Sequence, residues 1–269
     1  MGAPSPLGAR HQKVARLRRL LARRSTRHDE RAFVIEGATL VTEALDAGLA
    51  LEALYVASGP GPLPPVAARM AAAGRRVHTL APGVLERISG TVTPQPVLAI
   101  AAACDVPLEA VAEAELVLVC AEVRDPGNAG NIARSAEAAG AGAIVFCTGS
   151  VDPFNPKTVR SSAGALFHVP IVSGGNPVEV LERMEEWGYR RLGTVAHGGD
   201  AYDEIDYAPR TAVVLGNEAH GLSSVLDRHL DQRVTIPMAG RAESLNVSTA
   251  AALLCFEALR QRRRAPATP

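Results

Sequence analysis

Apolar residues recur at three- and four-residue spacing from Gln12 to Arg24, with arginines around the opposite side, and this predicts a helix. Phe33-Val34-Ile35-Glu36-Gly37 reads as a strand stopped at a glycine. Ala38 to Ala47 reads as an amphipathic helix closed by Gly48, and Leu51 to Ala57 as a second strand. Glycines and prolines from Gly59 to Pro65 break the chain before a helix running through Ala73. A short strand over 77–80, a short helix over 82–88 and a strand over 97–102 complete an alternation that predicts a small α/β layer domain. The second half opens with Leu116 to Ala121, the uninterrupted apolar run of a strand buried on both faces. A helix is expected from Asn128, with the asparagine as its cap and Gly140 closing it. Its buried stripe is Ile132, Ala136 and Ala139, and at about 100° per residue Arg134 lies about 200° from Ile132, pointing away from the core. Strands over 143–147, 190–196, 212–215 and 233–238 and helices over 177–187, 222–230 and 248–264 follow. This organisation predicts an α/β protein with an N-terminal domain over 8–104, a linker over 105–114 and a C-terminal domain over 115–264, with a disordered tail after that.

Composition narrows the class. At 269 residues, 47% hydrophobic and 21% charged, the chain reads as an ordinary soluble globular protein. No uninterrupted apolar run reaches the roughly 18 residues a membrane span needs, and the first residues do not read as a secretory signal. Cys104, Cys120, Cys147 and Cys255 form no C-x-x-C pair, and the last three stand in apolar runs, so reduced core thiols in a cytoplasmic protein are expected, with no disulfide and no metal. Charge changes the picture more. The net charge is zero, yet Arg10, Lys13, Arg16, Arg18, Arg19, Arg23, Arg24 and Arg27 precede the first acidic residue. That is either an electrostatic footprint for a polyanion or the solvated face of a helix. Arg260 and Arg262 to Arg264 at the end of the last helix suit its negative pole as well as a nucleic acid.

Candidate chemistry sits in polar loops that follow the apolar runs of the second half. The chain has no G-x-x-x-x-G-K-[ST], no G-x-G-x-x-G after a strand and no G-x-S-x-G, so a phosphate-binding loop, an ordinary dinucleotide fingerprint and a serine-hydrolase elbow are excluded. Three other loops stand out. They are Asp125-Pro126-Gly127-Asn128-Ala129-Gly130-Asn131-Ile132-Ala133-Arg134, then Leu215-Gly216-Asn217-Glu218-Ala219-His220-Gly221-Leu222, then Ile236-Pro237-Met238 with Ser244-Leu245-Asn246-Val247-Ser248. Glycine at a strand end lets a ligand approach the backbone closely, as α/β proteins require at their small-molecule sites.

In that order, over roughly residues 116–262, these loops resemble the three motifs of the SpoU/TrmH family of RNA ribose 2′-O-methyltransferases. Residues 8–102, through Phe33-Val34-Ile35-Glu36-Gly37 and Val97-Leu98-Ala99, resemble the N-terminal RNA-binding domain that many family members carry. The resemblance implies a C-terminal parallel-sheet methyltransferase domain tied in a deep trefoil knot, whose loops hold S-adenosylmethionine. It implies cofactor contacts near Thr194, Leu215, Gly216, Asn217, Ile236, Met238, Ser244 and Leu245, with Glu218, Ser244 and Asn246 completing the site. It makes Arg134 catalytic with Asn128 orienting beside it, and a homodimer paired through the first and last helices of the domain. Arg16, Arg19, Arg23, Arg134 and Arg160 become candidate RNA contacts, although Arg160 could equally be a helix-surface charge. A free guanidinium is too weakly acidic to act as a neutral base near pH 7. Arg134 is therefore either perturbed by cofactor and phosphate into accepting the 2′-hydroxyl proton, or stays cationic and stabilises a developing alkoxide. The expected substrate is ribosomal RNA ahead of transfer RNA, because of the basic N-terminal domain. Competing readings are a knotted RNA-binding module without catalysis, against which the intact Asn128, Arg134, Glu218, Ser244 and Asn246 argue, and the same chemistry serving antibiotic resistance.

Overall fold

A computed structural model describes residues 5–59, 61–89 and 94–264. Pro60, within the expected chain break, and the tail expected to be disordered lie outside the described residues. The chain divides into two compact units: Met1–Cys104 with Phe154–Arg160, and Asp105–Pro153 with Ser161–Pro269.

In the first unit, α1 (Gln12–Ala22) buries Val14, Leu17 and Leu20, the stripe its spacing predicts. The chain extends at Arg23 and then forms a short helix that the pattern does not announce, α2 (Arg24–Glu30), ending at Arg31 with φ 47°. Arg27 in α2 is buried, and its Nη1 donates to the carbonyl of Leu20 at 2.7 Å, satisfying one of the open acceptors at the end of α1. One of the eight early cations is therefore an internal cap and not a surface charge. The rest of the unit is β1 (Ala32–Glu36), α3 (Ala38–Asp46), β2 (Leu51–Ala57), α4 (Pro65–Ala72), β3 (Arg76–Leu80), α5 (Val84–Ile88) and β4 (Val97–Ala102). They form a four-stranded sheet of order β1-β4-β2-β3, with β4 antiparallel to β1 and β2, and β3 parallel to β2. Phe33 of β1 stacks on Phe154 with ring centroids 4.8 Å apart.

The stretch expected to link the two halves packs within the second unit. Val106 N donates to Ile171 O, a 3-10 turn spans Leu108–Val111, and Val106, Leu108 and Val111 join the apolar cluster on one face of the large sheet. The elements that follow are β5 (Leu116–Cys120), α6 (Pro126–Ala138), β6 (Ala143–Phe146), α7 (Pro156–Ser161), β7 (Ile171–Ser173), α8 (Pro177–Glu186), β8 (Arg190–Thr194), β9 (Asp200–Ala201), β10 (Thr211–Leu215), α9 (Ser224–Asp227), β11 (Gln232–Thr235) and α10 (Val247–Arg264). All seven strands pair in parallel, in the order β7-β6-β5-β10-β8-β11-β9. The two-residue β9 and the three-residue β7 are too short to show in a hydrophobic pattern. One face of the sheet carries Val117, Val119, Val145 and Val214 against Val180, Leu181 and Met184 of α8. α6 packs closely against α10, with Ala129, Gly130, Ala133 and Ala136 buried on the first helix and Ala251, Leu254 and Ala258 on the second. The end of α10 is fastened inward: Gln261 Nε2 donates to Ile205 O, and Arg262 donates to Tyr207 O and Glu115 O. Arg262 is thus engaged with carbonyls of its own unit.

Strand order decides where a ligand can sit. From β5 the chain steps outward through β6 and β7, then resumes on the other side, where β10 lies between β5 and β8. Open parallel sheets bind ligands outside the carboxyl ends of the strands at such a switch point.

Candidate active site

The loops at the carboxyl ends of β5, β8, β10 and β11, with the segment leading into α10, enclose a cavity of about 620 Å³. Of the expected cofactor residues, Thr194, Gly216, Asn217, Ile236, Met238, Ser244 and Leu245 line it, and so do Asn128, Glu218 and Asn246. Leu215 does not. It is wholly buried in β10, and its carbonyl is taken by Ala121 N at 2.8 Å. Val195, Ala196, His220, Leu222 and Leu254 also line the cavity. Leu254 falls within the helix predicted over 248–264, and nothing in the sequence separates a core leucine from one that floors a pocket.

The loop after β10 is closed on itself. Asn217 and Gly221 exchange backbone hydrogen bonds of 2.9 Å, and Asn217 Oδ1 accepts from the amides of Ala219 and His220. A Cβ on Gly216 would stand 2.4 Å from the carbonyl carbon of Gly221, so this hairpin closes only over a glycine. Asn217 Nδ2 donates to Glu122 O at 3.2 Å, joining this loop to the one after β5. There Glu122 adopts φ 66°, a left-handed conformation that costs a residue with a Cβ.

Glu218 ties the two loops more firmly. Its carboxylate accepts Arg124 N at 3.2 Å, Asp125 N at 3.0 Å and Asn128 Nδ2 at 3.1 Å. Partial burial favours the neutral acid, but the hydrogen bonds from Asp125 N, Asn128, its own amide and Arg124 N outweigh it and hold the carboxyl below its ordinary range. Glu218 is therefore ionised and fully occupied in holding loops, an arrangement that suits positioning and leaves little basicity for proton abstraction.

Asn128 is not the cap of its helix. Asp125 caps α6 by accepting Asn128 N at 2.9 Å, with Pro126 in the first turn. This frees the Asn128 side chain to donate to Glu218 and to accept Asn246 Nδ2 at 2.9 Å. Asn246 in turn caps the start of α10 through Oδ1, which accepts both Ser248 N and Ser248 Oγ. Residues 90 and 118 positions apart from Asn128 thus meet on one amide. Ser244 is exposed at the cavity wall, with no hydrogen-bond partner among the described residues. Arg134 is exposed on α6 as its helical angle predicts; it is not among the residues lining the cavity, and has no ion pair among the described residues.

Within the first unit, Arg16 is held by Glu30 and Glu52 at 2.5 and 2.6 Å. Arg19 lies 3.5 Å from Glu30 and is about half exposed, and Arg23 is exposed. Arg160 Nη1 donates to the buried Glu36 carboxylate at 2.8 Å, and Glu36 also accepts Gln95 N. Of the candidate RNA contacts here, Arg19 and Arg23 present the freest guanidinium groups.

The cavity's chemistry selects a ligand type. Its walls are aliphatic (Ile236, Met238, Leu245, Leu222) with amide, hydroxyl and carboxylate groups at the rim, and no lysine or arginine lines it among the described residues. A phosphorylated nucleotide would find no cation there. A nucleoside with an uncharged sugar and a sulfonium group fits both the apolar wall and the anionic Glu218. The thiols nearby are inert: Cys120, Cys147 and Cys255 are buried, which raises Cys147 and Cys255 to about 12. No group of three or more His, Cys, Asp or Glu among the described residues could hold a metal ion, and no described helix is long and apolar enough to cross a membrane.

Comparison with known proteins agrees with this geometry. Residues 115–256 match the SpoU rRNA Methylase family, and residues 11–99 match an MRM3-like substrate binding domain. The 23S rRNA (guanosine(2553)-2′-O)-methyltransferase of Bacillus subtilis is 37% identical over 251 residues, which span 92% of this chain and 96% of that protein. The crystal structure of the SpoU methyltransferase AviRb from Streptomyces viridochromogenes in complex with AdoMet superimposes with a TM-score of 0.86 at 30% identity, covering 96% of this chain and all of that one. An AdoMet-bound rRNA methyltransferase from Sinorhizobium meliloti gives a TM-score of 0.82 at 33% identity, with 96% of each chain covered. With its motif loops gathered at one cavity and both halves matched along nearly their whole length, this chain belongs to the SpoU rRNA methylase family.

Proposed function

We propose that the protein transfers a methyl group from S-adenosylmethionine to a ribose 2′-hydroxyl of ribosomal RNA. The observation that carries this is the cavity, walled by aliphatic side chains, free of lysine and arginine among its described lining, and bordered by the Glu218–Asn128–Asn246 network. The similarity to 23S rRNA 2′-O-methyltransferases over almost the full chain favours ribosomal over transfer RNA. S-adenosylmethionine, when bound, supplies an electrophilic methyl group. Ile236, Met238 and Leu245 would hold its nucleoside part, with Gly216 and Asn217 at the closed hairpin. Glu218 fixes Asn128, and Asn128 with Asn246 and Ser244 orients the incoming nucleotide. Nearness and alignment of the hydroxyl then supply much of the rate. Arg134, cationic and without an intramolecular partner among the described residues, is the group available to grip RNA and stabilise the developing alkoxide.

The same reading includes a knotted domain, a homodimer and a cytoplasmic setting. Support for the knot is the strand order, in which β10 enters between β5 and β8. Support for the dimer is α10, where Leu253 and Phe256 are 37% and 49% exposed on the side away from the buried stripe. Pairing also gives Arg134 a chemical use, since it does not line the cavity of its own chain. The free thiols, with Cys120, Cys147 and Cys255 buried, suit a cytoplasmic enzyme. Mapping 2′-O-methyl groups in ribosomal RNA from cells with and without the gene should show one position that disappears; unchanged ribosomal RNA with a lost transfer RNA mark would transfer the assignment to transfer RNA.

A further inference from the structure

Arg124 has no assigned role, although the site is built around its backbone. Its amide donates to Glu218, its neighbour Asp125 does the same, and Glu122 two residues earlier accepts from Asn217. The backbone at 124 is thus pinned to residues that line the cavity. The side chain is left out: it is 66% exposed. Its one partner among the described residues is the carboxylate of Glu122, at 3.4 Å and itself 46% exposed. An exposed pair at that distance is weak, and it engages one of five guanidinium N–H groups. A phosphodiester offers a shorter, bidentate, charge-assisted contact and displaces such a partner readily.

Because no lysine or arginine lines the cavity among its described residues, a polyanion must be gripped at the rim. Every ribose 2′-hydroxyl is flanked by a phosphodiester on the adjacent 3′ oxygen. A ribose presented to Asn128 and Asn246 brings that phosphate close to the anchored loop at 124. We propose that Arg124 is a substrate-positioning residue that binds a phosphodiester next to the methylated ribose, with Glu122 as the intramolecular placeholder it leaves when RNA arrives. The assignment rests on the RNA methyltransferase reading above. It differs from a loop-supporting role because the support comes from the backbone of Arg124, which any side chain retains.

The test uses the full chain, an unmodified 23S ribosomal RNA transcript and labelled S-adenosylmethionine. Arg124→Ala should raise KM for the transcript by about 10-fold with a much smaller change in kcat, and should flatten the dependence of log affinity on log salt by about one ion, as for the loss of one phosphate contact. Arg124→Lys should recover part of the affinity, and Glu122→Gln should lower KM by removing the competitor. Cofactor affinity should be the same in all of them. An Arg124→Ala variant with wild-type KM and salt slope, or one whose cofactor affinity falls in step with its RNA affinity, would overturn the assignment while leaving the enzyme's function in place. A wild-type protein that binds S-adenosylmethionine yet methylates neither ribosomal nor transfer RNA would overturn the functional reading, and the role of Arg124 with it.

Discussion

At position 134 a guanidinium faces solvent on a helix whose opposite face is buried, and at position 218 a carboxylate is consumed by three hydrogen bonds. The two residues should therefore fail differently when replaced. Arg134→Ala should change stability by no more than about 0.5 kcal/mol, as at surface positions without special contacts. Methyl transfer should fall by at least about 100-fold, the scale of losing a positioned electrostatic or acid–base group. Chemical denaturation and single-turnover methylation on the same preparation would check the pair, and near-normal turnover would remove Arg134 from the mechanism. Glu218→Gln places an amide where Arg124 N, Asp125 N and Asn128 Nδ2 all need an acceptor, so both loops should loosen together. The carboxyl of Glu218 is held below its ordinary value in the folded protein. Its contribution is therefore complete above the normal carboxylate range and is lost as the pH falls through the lowered value. Amide exchange protection at Arg124 and Asp125 should follow that acid limb in the wild type and be weak and independent of pH in Glu218→Gln.

Among the elements, glycines separate close packing that can yield from close packing that cannot. A Cβ on Gly216 meets the backbone of Gly221 and Leu222 at 2.4 to 2.7 Å, within a hairpin held by its own hydrogen bonds. A Cβ on Gly193, in β8, meets the methyl ends of Leu230 and Leu222 at 2.2 and 2.9 Å, and side-chain ends can rotate away. Overpacking costs about 1–3 kcal/mol. Gly193→Ala should fall at the lower end and Gly216→Ala at or above the upper, with cofactor affinity lost by more than about 10-fold only in the second. Urea midpoints and calorimetry would decide, and equal effects would refute the rigid-hairpin account.

For the whole molecule, the cavity proposed to take the cofactor lies entirely within the second unit. A fragment of residues 105–264 should fold and bind S-adenosylmethionine by calorimetry. One beginning at Glu113 should melt at a lower temperature, because it lacks Val106, Leu108 and Val111. Full burial of a side chain such as Val111 is worth about 1.5–3 kcal/mol. If both fragments melt alike, the stretch before β5 is dispensable. On α10, changing Leu253 and Phe256 together to Glu should convert a dimer to a monomer in light scattering at micromolar concentration. A wild-type protein that is already monomeric there would refute the pairing.

Periodicity alone located the long elements: the Val14, Leu17, Leu20 stripe of α1, the strand beginning at Leu116 and the outward angle of Arg134 follow from local chain geometry, which sequence encodes directly. The order of the polar loops carries the resemblance to the family, and the residues that resemblance implies make up half of the cavity lining. Tertiary structure decided the rest, because those features depend on residues far apart in the chain. Asn128 looks like a cap until Asp125 takes that role and frees its amide for Glu218 and Asn246. Leu215, implied as a cofactor contact by the resemblance, stands wholly buried in β10 with its carbonyl bonded to Ala121 N. Arg27 and Arg16 count as surface cations until a helix end and two carboxylates occupy them. The type of residue at each position was set by the sequence, but which of its hydrogen-bonding groups remained for a ligand was set only when the strands were laid side by side.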